Sequence, residues 1–383
     1  MCIDTICPMK AFLIDQAIEE ENFCNFESER EALRRHIKQK NHIVLYGPRN
    51  FGKTSLVKNI IGKEFKQTHP ESFVFFADLI EVRSMEMLVS RLRAAFENSF
   101  RHSFPAKNLI QKTKRLLSAL RPEINIDPLT GQPSLSITLS EQKHQDTIVF
   151  IFEMIQDLAK KMPSLIIIDE FQDIAIIPEA QAHFRAAFEI TKDTPIILLG
   201  SKNHILSQIF ANPNAPLASW GQDISMGKIP YTDYHLYIQE RFSQNKNTIS
   251  LETATELQDL VKRVPESINT LCQHIHINHE NTDITLTIVN TALQTLLESK
   301  TSRFESYLAH FSDSEQKILI EISRIRIIEK PQSIAFIKKT GMTNKSVSRI
   351  IKKLWDNGVI TKQKEGYELT DPLLEHYIRL YRI

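Results

Sequence analysis

The chain has 383 residues, 42% of them hydrophobic and 24% charged, with a formal net charge of +1 at neutral pH. That is ordinary globular composition at a length suited to two or three domains, which excludes a disordered or fibrous chain. Near-neutrality also removes any whole-molecule attraction to nucleic acid or membrane, so a basic surface has to be local.

The four cysteines, Cys2, Cys7, Cys24 and Cys272, form no CxxC pair. Three crowd the first 24 residues and the fourth is remote, which fits free thiols in a reducing compartment rather than a disulfide framework or a zinc ribbon. Residues 1–24 read as an N-terminal segment. Asp4, Asp15 and the Glu19–Glu21 run break any apolar stretch there, and no later segment approaches the ~18 apolar residues of a membrane span. The expectation is a cytoplasmic protein with no secretory signal and no membrane partner.

Residues 29–40 place Leu33 and Ile37 four apart among charges, which predicts an amphipathic helix. His42–Tyr46 is a short β-branched and apolar run ending in Gly47-Pro48, and Ser55–Ile61 resumes helical spacing, so strand, glycine loop and helix follow one another. Further strands are predicted at Ser72–Asp78, Leu165–Asp169 and Pro195–Gly200, with helical sequence between them. Continuous apolar strands alternating with helices are what a parallel sheet covered on both faces requires. Residues 25–230 are therefore read as one α/β domain. Its insert, 101–146, holds a turn-rich stretch and then the alternation Leu135-Ser-Ile-Thr-Leu139, which predicts a small surface hairpin. Residues 231–302 read as a small helical domain without strand signals. Residues 303–383 run through helices at Asp313–Ile327, Ser333–Lys339 and Asn344–Asn357 to two short strands around Gly366.

Gly47-Pro48-Arg49-Asn50-Phe51-Gly52-Lys53-Thr54 matches GxxxxGK[ST] in the strand-to-helix context that the motif needs. Such a loop, Gly47 to Ser55, wraps backbone N–H groups around a β-phosphate at a helix N-terminus. Lys53 then reaches the β- and γ-phosphates of ATP, and Thr54 offers a hydroxyl to Mg²⁺. The second half is Leu165–Glu170, an apolar strand delivering two carboxylates to the edge of the sheet where ligands bind. Asp169 is the candidate for the Mg²⁺ shell and Glu170 for polarising the attacking water. After the next strand, Ser201 and Asn203 are candidates for sensing the γ-phosphate, with a plain strand-ending turn as the alternative.

A transferred phosphoryl group also calls for a cation, for which Arg185, Arg241 and Arg263 are candidates. Arg49 in the loop suits phosphate, a partner or bare solvent. Cys272, His274, His276, His279 and Glu280 form a cluster that reads more simply as a histidine-rich surface helix than as a metal site.

Gly47–Leu56, Ile167-Ile-Asp-Glu-Phe-Gln172 and Leu199-Gly-Ser201 resemble archaeal-type P-loop ATPases of the STAND and AAA+ lineage, a group also common in bacteria. The insert segment Arg121–Gly131 is similar to one in that family. Pro331–Lys364 with Tyr367-Glu-Leu-Thr-Asp-Pro372 resembles its winged helix and closing Asp-Pro segment, so the resemblance spans roughly residues 25–383. It implies a P-loop ATPase domain at 25–230, a helical lid at 231–302 and a winged helix at 303–383. It also implies nucleotide and Mg²⁺ held by Lys53, Thr54 and Asp169, with Glu170 activating water. Two departures stand out. Ser219-Trp220-Gly221-Gln222 occupies the place of a usual Gly-Arg, which implies slow or partner-dependent hydrolysis. Ser28-Glu29-Arg30-Glu31 loosens a usual Gly-Arg-Glu, which leaves the adenine pocket undefined.

Pro331–Glu365 carries eight Lys or Arg against Asp356 and Glu365, a local basic patch in a neutral chain. On Asn344–Asn357, Val347, Ile350, Ile351 and Leu354 are expected to face the core, and Lys345, Ser346, Arg349 and Lys353 a groove. Lys362 and Lys364 on the wing suit phosphates. Double-stranded DNA is one expected partner; a protein partner or homo-oligomer is the other, because winged helices also dock proteins. Two functions follow. One is an ATP-hydrolysing switch whose nucleotide state controls the winged helix, and the other a DNA-binding regulator or docking scaffold in which ATP is structural and hydrolysis incidental.

Overall fold

The computed structural model describes residues 12–13, 22–103, 123–126, 133–136 and 144–383. Among these residues the chain divides into two compact units, 22–48 with 52–227, and 12–13 with 49–51 and 228–383.

The first unit is a five-stranded parallel sheet of β1 (Ile43–Tyr46), β2 (Phe73–Asp78), β5 (Ser164–Asp169), β6 (Ile196–Gly200) and β7 (Gln222–Ser225), in the order β2-β5-β6-β1-β7. Four of these strands are the apolar runs expected from sequence, and every residue of β5 and β6 is buried. Alternation sends neighbours to opposite layers. Val44, Phe75, Ile166, Ile168 and Leu198 join one core with α3 (Met85–Ser103), α4 (His144–Ala159) and α5 (Ala180–Ile190). Ile43, Leu45, Ile167 and Ile197 are also buried but point to the other layer, where Gly62 packs near Ile167. Both faces are thus covered, the condition for an all-parallel sheet.

β7 was not expected. Its burial pattern leaves only Ile224 inside, so it carries no apolar run, as suits an edge strand. In the insert, β3 (Glu123–Ile126) and β4 (Pro133–Ser136) pair antiparallel, giving the hairpin; residues 137–139 of the predicted alternation lie outside the described residues.

Helix α1 (Glu27–Lys38) is tied to α2 (Gly62–Thr68) through one carboxylate. Arg34 donates to Glu64 from Nε at 2.9 Å and from Nη2 at 2.8 Å, and Arg30 adds a bond at 3.3 Å. The Arg34 bonds, opposed by partial burial, hold the Glu64 carboxyl below its ordinary value. A depressed acid stabilises the fold above its unfolded pKa, and that stability is lost as pH falls through the folded value. Since both partners are partly exposed, Glu64→Gln is expected to cost about 1 kcal/mol at neutral pH. Urea midpoints should differ at about pH 7 and draw together as the pH falls through the depressed folded value; equal midpoints at neutrality would show that the bridge contributes nothing.

The second unit holds α7 (Tyr231–Ser243), α8 (Leu251–Leu260), α9 (Pro265–Asn278) and α10 (Leu286–Ser299). Two-residue parallel strands, β8 (Thr248–Ile249) and β9 (Asp283–Ile284), pair between them where no strand was expected. After α11 (Thr301–Leu308) come α12 (Asp313–Ile325), begun by a Ser312/Glu315 capping box, α13 (Ile334–Thr340) and α14 (Asn344–Asp356). The antiparallel hairpin β10 (Ile360–Gln363) with β11 (Gly366–Leu369) leads to α15 (Pro372–Tyr381), whose first N–H groups donate to Asp371. Lys262 joins the four-helix part to the hairpin part: its ammonium reaches Glu375 at 2.6 Å, Glu368 at 2.9 Å and the Leu369 carbonyl at 3.2 Å. Burial pushes the Glu375 carboxyl up, and Lys262 opposes that shift. Among the described residues no helix is long and apolar enough to cross a membrane.

Candidate functional site

β5, β6 and β1 are adjacent in the sheet and parallel, so their C-terminal ends lie side by side. The glycine loop leaves β1, Asp169 and Glu170 end β5, and Ser201 follows β6.

The loop turns back on its own lysine. Lys53 is only 5% exposed, and its ammonium donates to the carbonyls of Gly47 and Pro48, each at 2.8 Å. A Cβ on Gly47 would be tight, 3.1 Å from Met226 and 3.3 Å from the Lys53 stem. Asn50 and Gly52 adopt left-handed backbone at φ 67° and 81°, and a Cβ on Gly52 would also crowd Phe23 at 3.2 Å. Helix begins at Lys53, with the Leu56 N–H donating to the Gly52 carbonyl at 2.8 Å, so the loop runs into the positive end of a helix. Ser55–Ile61 then continues as a π-helix, an uncommon form that often sits at functional sites. Arg49 and Phe51 complete the loop.

Thr54, next to the lysine, donates its hydroxyl to Asp169 Oδ2 at 2.5 Å. The other oxygen of Asp169 accepts the N–H of Glu170 at 2.8 Å. Asp169 is 3% exposed; burial pushes its carboxyl up, the Thr54 hydroxyl pulls it down, and the Glu170 charge adds to the rise. Glu170 has left-handed backbone at φ 50° and ψ 40°, a strained conformation for a residue with a side chain. Its Oε2 accepts the Ser201 hydroxyl at 3.0 Å and a second bond from the Gln172 amide. Thr54, Asp169, Glu170 and Ser201 thus form one continuous hydrogen-bonded chain across three strand ends. Asn203 is the first residue of α6 (Asn203–Phe210).

The donor set suits a hard divalent cation held jointly with phosphate. One hydroxyl and one carboxylate, with their oxygens in contact, are the small protein contribution that Mg²⁺ takes when substrate phosphates and water complete its shell. The buried ammonium beside a helix N-terminus suits the anion.

The arginine candidates are engaged elsewhere. Arg185 pairs with Glu189 at 2.7 Å on its own helix. In the second unit, Arg241 lies 3.6 Å over the Tyr237 ring, and Arg263 lies 3.9 Å over Tyr231 while donating to the Ile229 carbonyl. In the histidine-rich stretch Cys272 is fully buried, His276 stacks on Phe242, and His274 bonds Thr295 at 2.9 Å. No group of three or more His, Cys, Asp or Glu among the described residues is arranged to hold a metal.

On α14, Val347, Ile350, Ile351 and Leu354 are buried as the periodicity requires, and Lys345, Arg349 and Lys352 are exposed. Lys353 is exposed as well, and its ammonium pairs with Glu315 of the capping box at 2.6 Å. Lys362 lies 5.5 Å from the Tyr367 ring and 5.9 Å from Trp355, while Lys364 is exposed.

Gln172 and Gly200 were not assigned any role from sequence. Gln172 is 2% exposed and bonds Glu170, and a Cβ on Gly200 would fall on the Gln172 amide oxygen. Polar Gln172 and Asp173, between Phe171 and Ile174 just after the acidic pair, were the available signal.

Comparison with known proteins agrees with this geometry. Residues 34–209 match a family model described as "AAA domain", and residues 302–380 one described as "Probable winged helix domain". An uncharacterized ATP-binding protein of Methanocaldococcus jannaschii is 31% identical over 143 residues, which is 34% of this chain and 37% of the relative. The chain therefore spans little more than a third of that relative's length. Among solved structures, the Walker-type ATPase Paby2304 of Pyrococcus abyssi aligns with a TM-score of 0.65 at 16% identity, covering 96% of this chain and 99% of that one. The Orc1 protein of Aeropyrum pernix, solved in complex with DNA, aligns at 0.53 and 11% identity over 97% and 96%. At such identities the likeness is one of fold.

Proposed function

We infer the function from the premise that the chain carries an AAA-type P-loop ATPase domain and, after a helical region, a C-terminal winged-helix domain. The reading is an ATP-hydrolysing switch of the STAND/AAA+ kind, whose nucleotide state controls how the winged helix engages double-stranded DNA. The observation that carries it is the hydrogen-bonded chain Thr54–Asp169–Glu170–Ser201 beside a buried Lys53.

In this reading the Gly47–Ser55 backbone cradles the β-phosphate, and Lys53 exchanges its carbonyl partners in part for β- and γ-phosphate oxygens. Thr54 and Asp169 would hold Mg²⁺, which neutralises phosphate charge when bound. Glu170 orients the attacking water and takes its proton, while Ser201 couples the base to the γ-phosphate position. With Arg185, Arg241 and Arg263 committed to local partners, hydrolysis by the chain alone is slow.

For the winged helix, Lys345, Arg349, Lys362 and Lys364 are the proposed phosphate contacts, with Lys353 joining only by leaving Glu315. The test is duplex DNA binding between about 50 and 200 mM salt, in ADP and in a non-hydrolysable ATP analogue. Affinity should fall with a log–log slope of about −4, differ between the two nucleotides, and lose about one unit of slope in Arg349→Ala. The second reading is protein docking with ATP in a structural role. DNA affinity that is absent, or unaffected by salt, would overturn the DNA reading.

A further inference from the structure

We propose that Gln172 is the positioning residue that holds the general base Glu170, and that Gly200 is glycine because the Gln172 side chain occupies the space of its Cβ. This rests on the reading of Glu170 as the base.

The contacts are lopsided in a way that core packing does not require. Gln172 is 2% exposed, and its amide nitrogen donates to Glu170 and, at 3.3 Å, to Asp173. Its amide oxygen accepts no hydrogen bond among the described residues. Turning the amide over would set that oxygen against two carboxylates, so electrostatics fixes the orientation even though one buried polar atom stays unpaired. A glutamine kept for packing would satisfy both ends or be replaced by an apolar residue of its size. This one serves the acid only.

The surroundings fix the glutamine in turn. Asp173 accepts the Glu81 N–H at 2.8 Å and pairs with Lys202 at 3.5 Å. A Cβ on Gly200 would fall on the Gln172 amide oxygen and lie 2.6 Å from Leu206 Cδ1. Three consecutive residues at the end of β6, Gly200 to Lys202, therefore meet three residues after β5: Gly200 admits Gln172, Ser201 donates to Glu170, and Lys202 pairs with Asp173. Both donors to Glu170 bind the same oxygen, Oε2, so Oε1 is the oxygen left to take the proton of water. The strained backbone of Glu170 is held by this double anchor.

A residue acting only through the base alters turnover and leaves nucleotide affinity alone. Gln172→Met keeps the volume and removes the donor; Gly200→Ala expels the glutamine from the other side. Each should lower kcat by about ten- to a hundredfold, the range seen when the partner of a functional group is removed. KM for ATP, the ADP dissociation constant and Tm should stay within about twofold or a few degrees of wild type. The double variant should be no slower than the slower single one, because both act through one contact. In a Glu170→Gln background, Gln172→Met should change the residual rate no further. A kcat within about twofold of wild type in Gln172→Met and Gly200→Ala, or ADP affinity falling in step with kcat, overturns the proposal. If Gln172→Met does not fold, Gly200→Ala alone decides. Normal turnover by Glu170→Gln, or a wild-type protein that binds ATP without hydrolysing it, overturns the base assignment itself and the proposal with it.

Discussion

Lys53→Ala is expected to lose ATP and ADP binding by at least about a hundredfold, close to 3 kcal/mol. Two effects add. The variant removes the buried ammonium proposed to meet the phosphates, and it deprives the Gly47 and Pro48 carbonyls of the donor that closes the loop. Without that donor the loop gives up the curled form in which its N–H groups converge. Equilibrium binding of a fluorescent ADP analogue reads the loss, with circular dichroism confirming the fold. Affinity within a few-fold of wild type would remove Lys53 from the site. Lys53→Arg should not fully rescue it, because a planar guanidinium does not reproduce the compact ammonium that bonds both the Gly47 and Pro48 carbonyls.

The second large effect is on turnover. Glu170→Gln should retain nucleotide affinity while kcat falls by about a hundred- to ten-thousandfold, the usual contribution of a general base. The variant keeps the side-chain length, and its amide oxygen still accepts from Ser201, so the contact across the strand ends survives. What it lacks is an oxygen able to take a proton. Asp169 is bound to the Thr54 hydroxyl and Glu170 to the Ser201 hydroxyl, which supports dividing metal binding and base catalysis between the two carboxylates. A phosphate-release assay under single-turnover conditions separates chemistry from product release; wild-type chemistry in Glu170→Gln would assign the base to another group.

Much of this arrangement could be read in the chain itself, for identifiable reasons. β1, β2, β5 and β6 were legible because a parallel sheet covered on both faces demands uninterrupted apolar runs. β7 was not, since one buried isoleucine in four residues is no pattern and pairing with β1 supplies the rest. The two-residue β8–β9 pair falls below any periodicity. The π-helical register after the loop was invisible because hydrogen-bond spacing leaves no mark on side-chain order. Lys53, Thr54, Asp169 and Glu170 were legible as a motif with known mechanics. Gln172 and Gly200 were not, because their relation exists only once β5 and β6 lie side by side. Lys353 shows the same limit. Helical spacing put it on the outer face, and a glutamate 38 positions earlier took hold of its ammonium.

The most direct measurement is calorimetric titration of the purified, folded protein with ATP and with GTP, with and without Mg²⁺. Saturable binding of a triphosphate that Mg²⁺ tightens is the expected result, because Thr54 and Asp169 present adjoining hard oxygens next to the phosphate cradle. A folded sample that binds neither nucleotide, or binds one with no response to Mg²⁺, would contradict it.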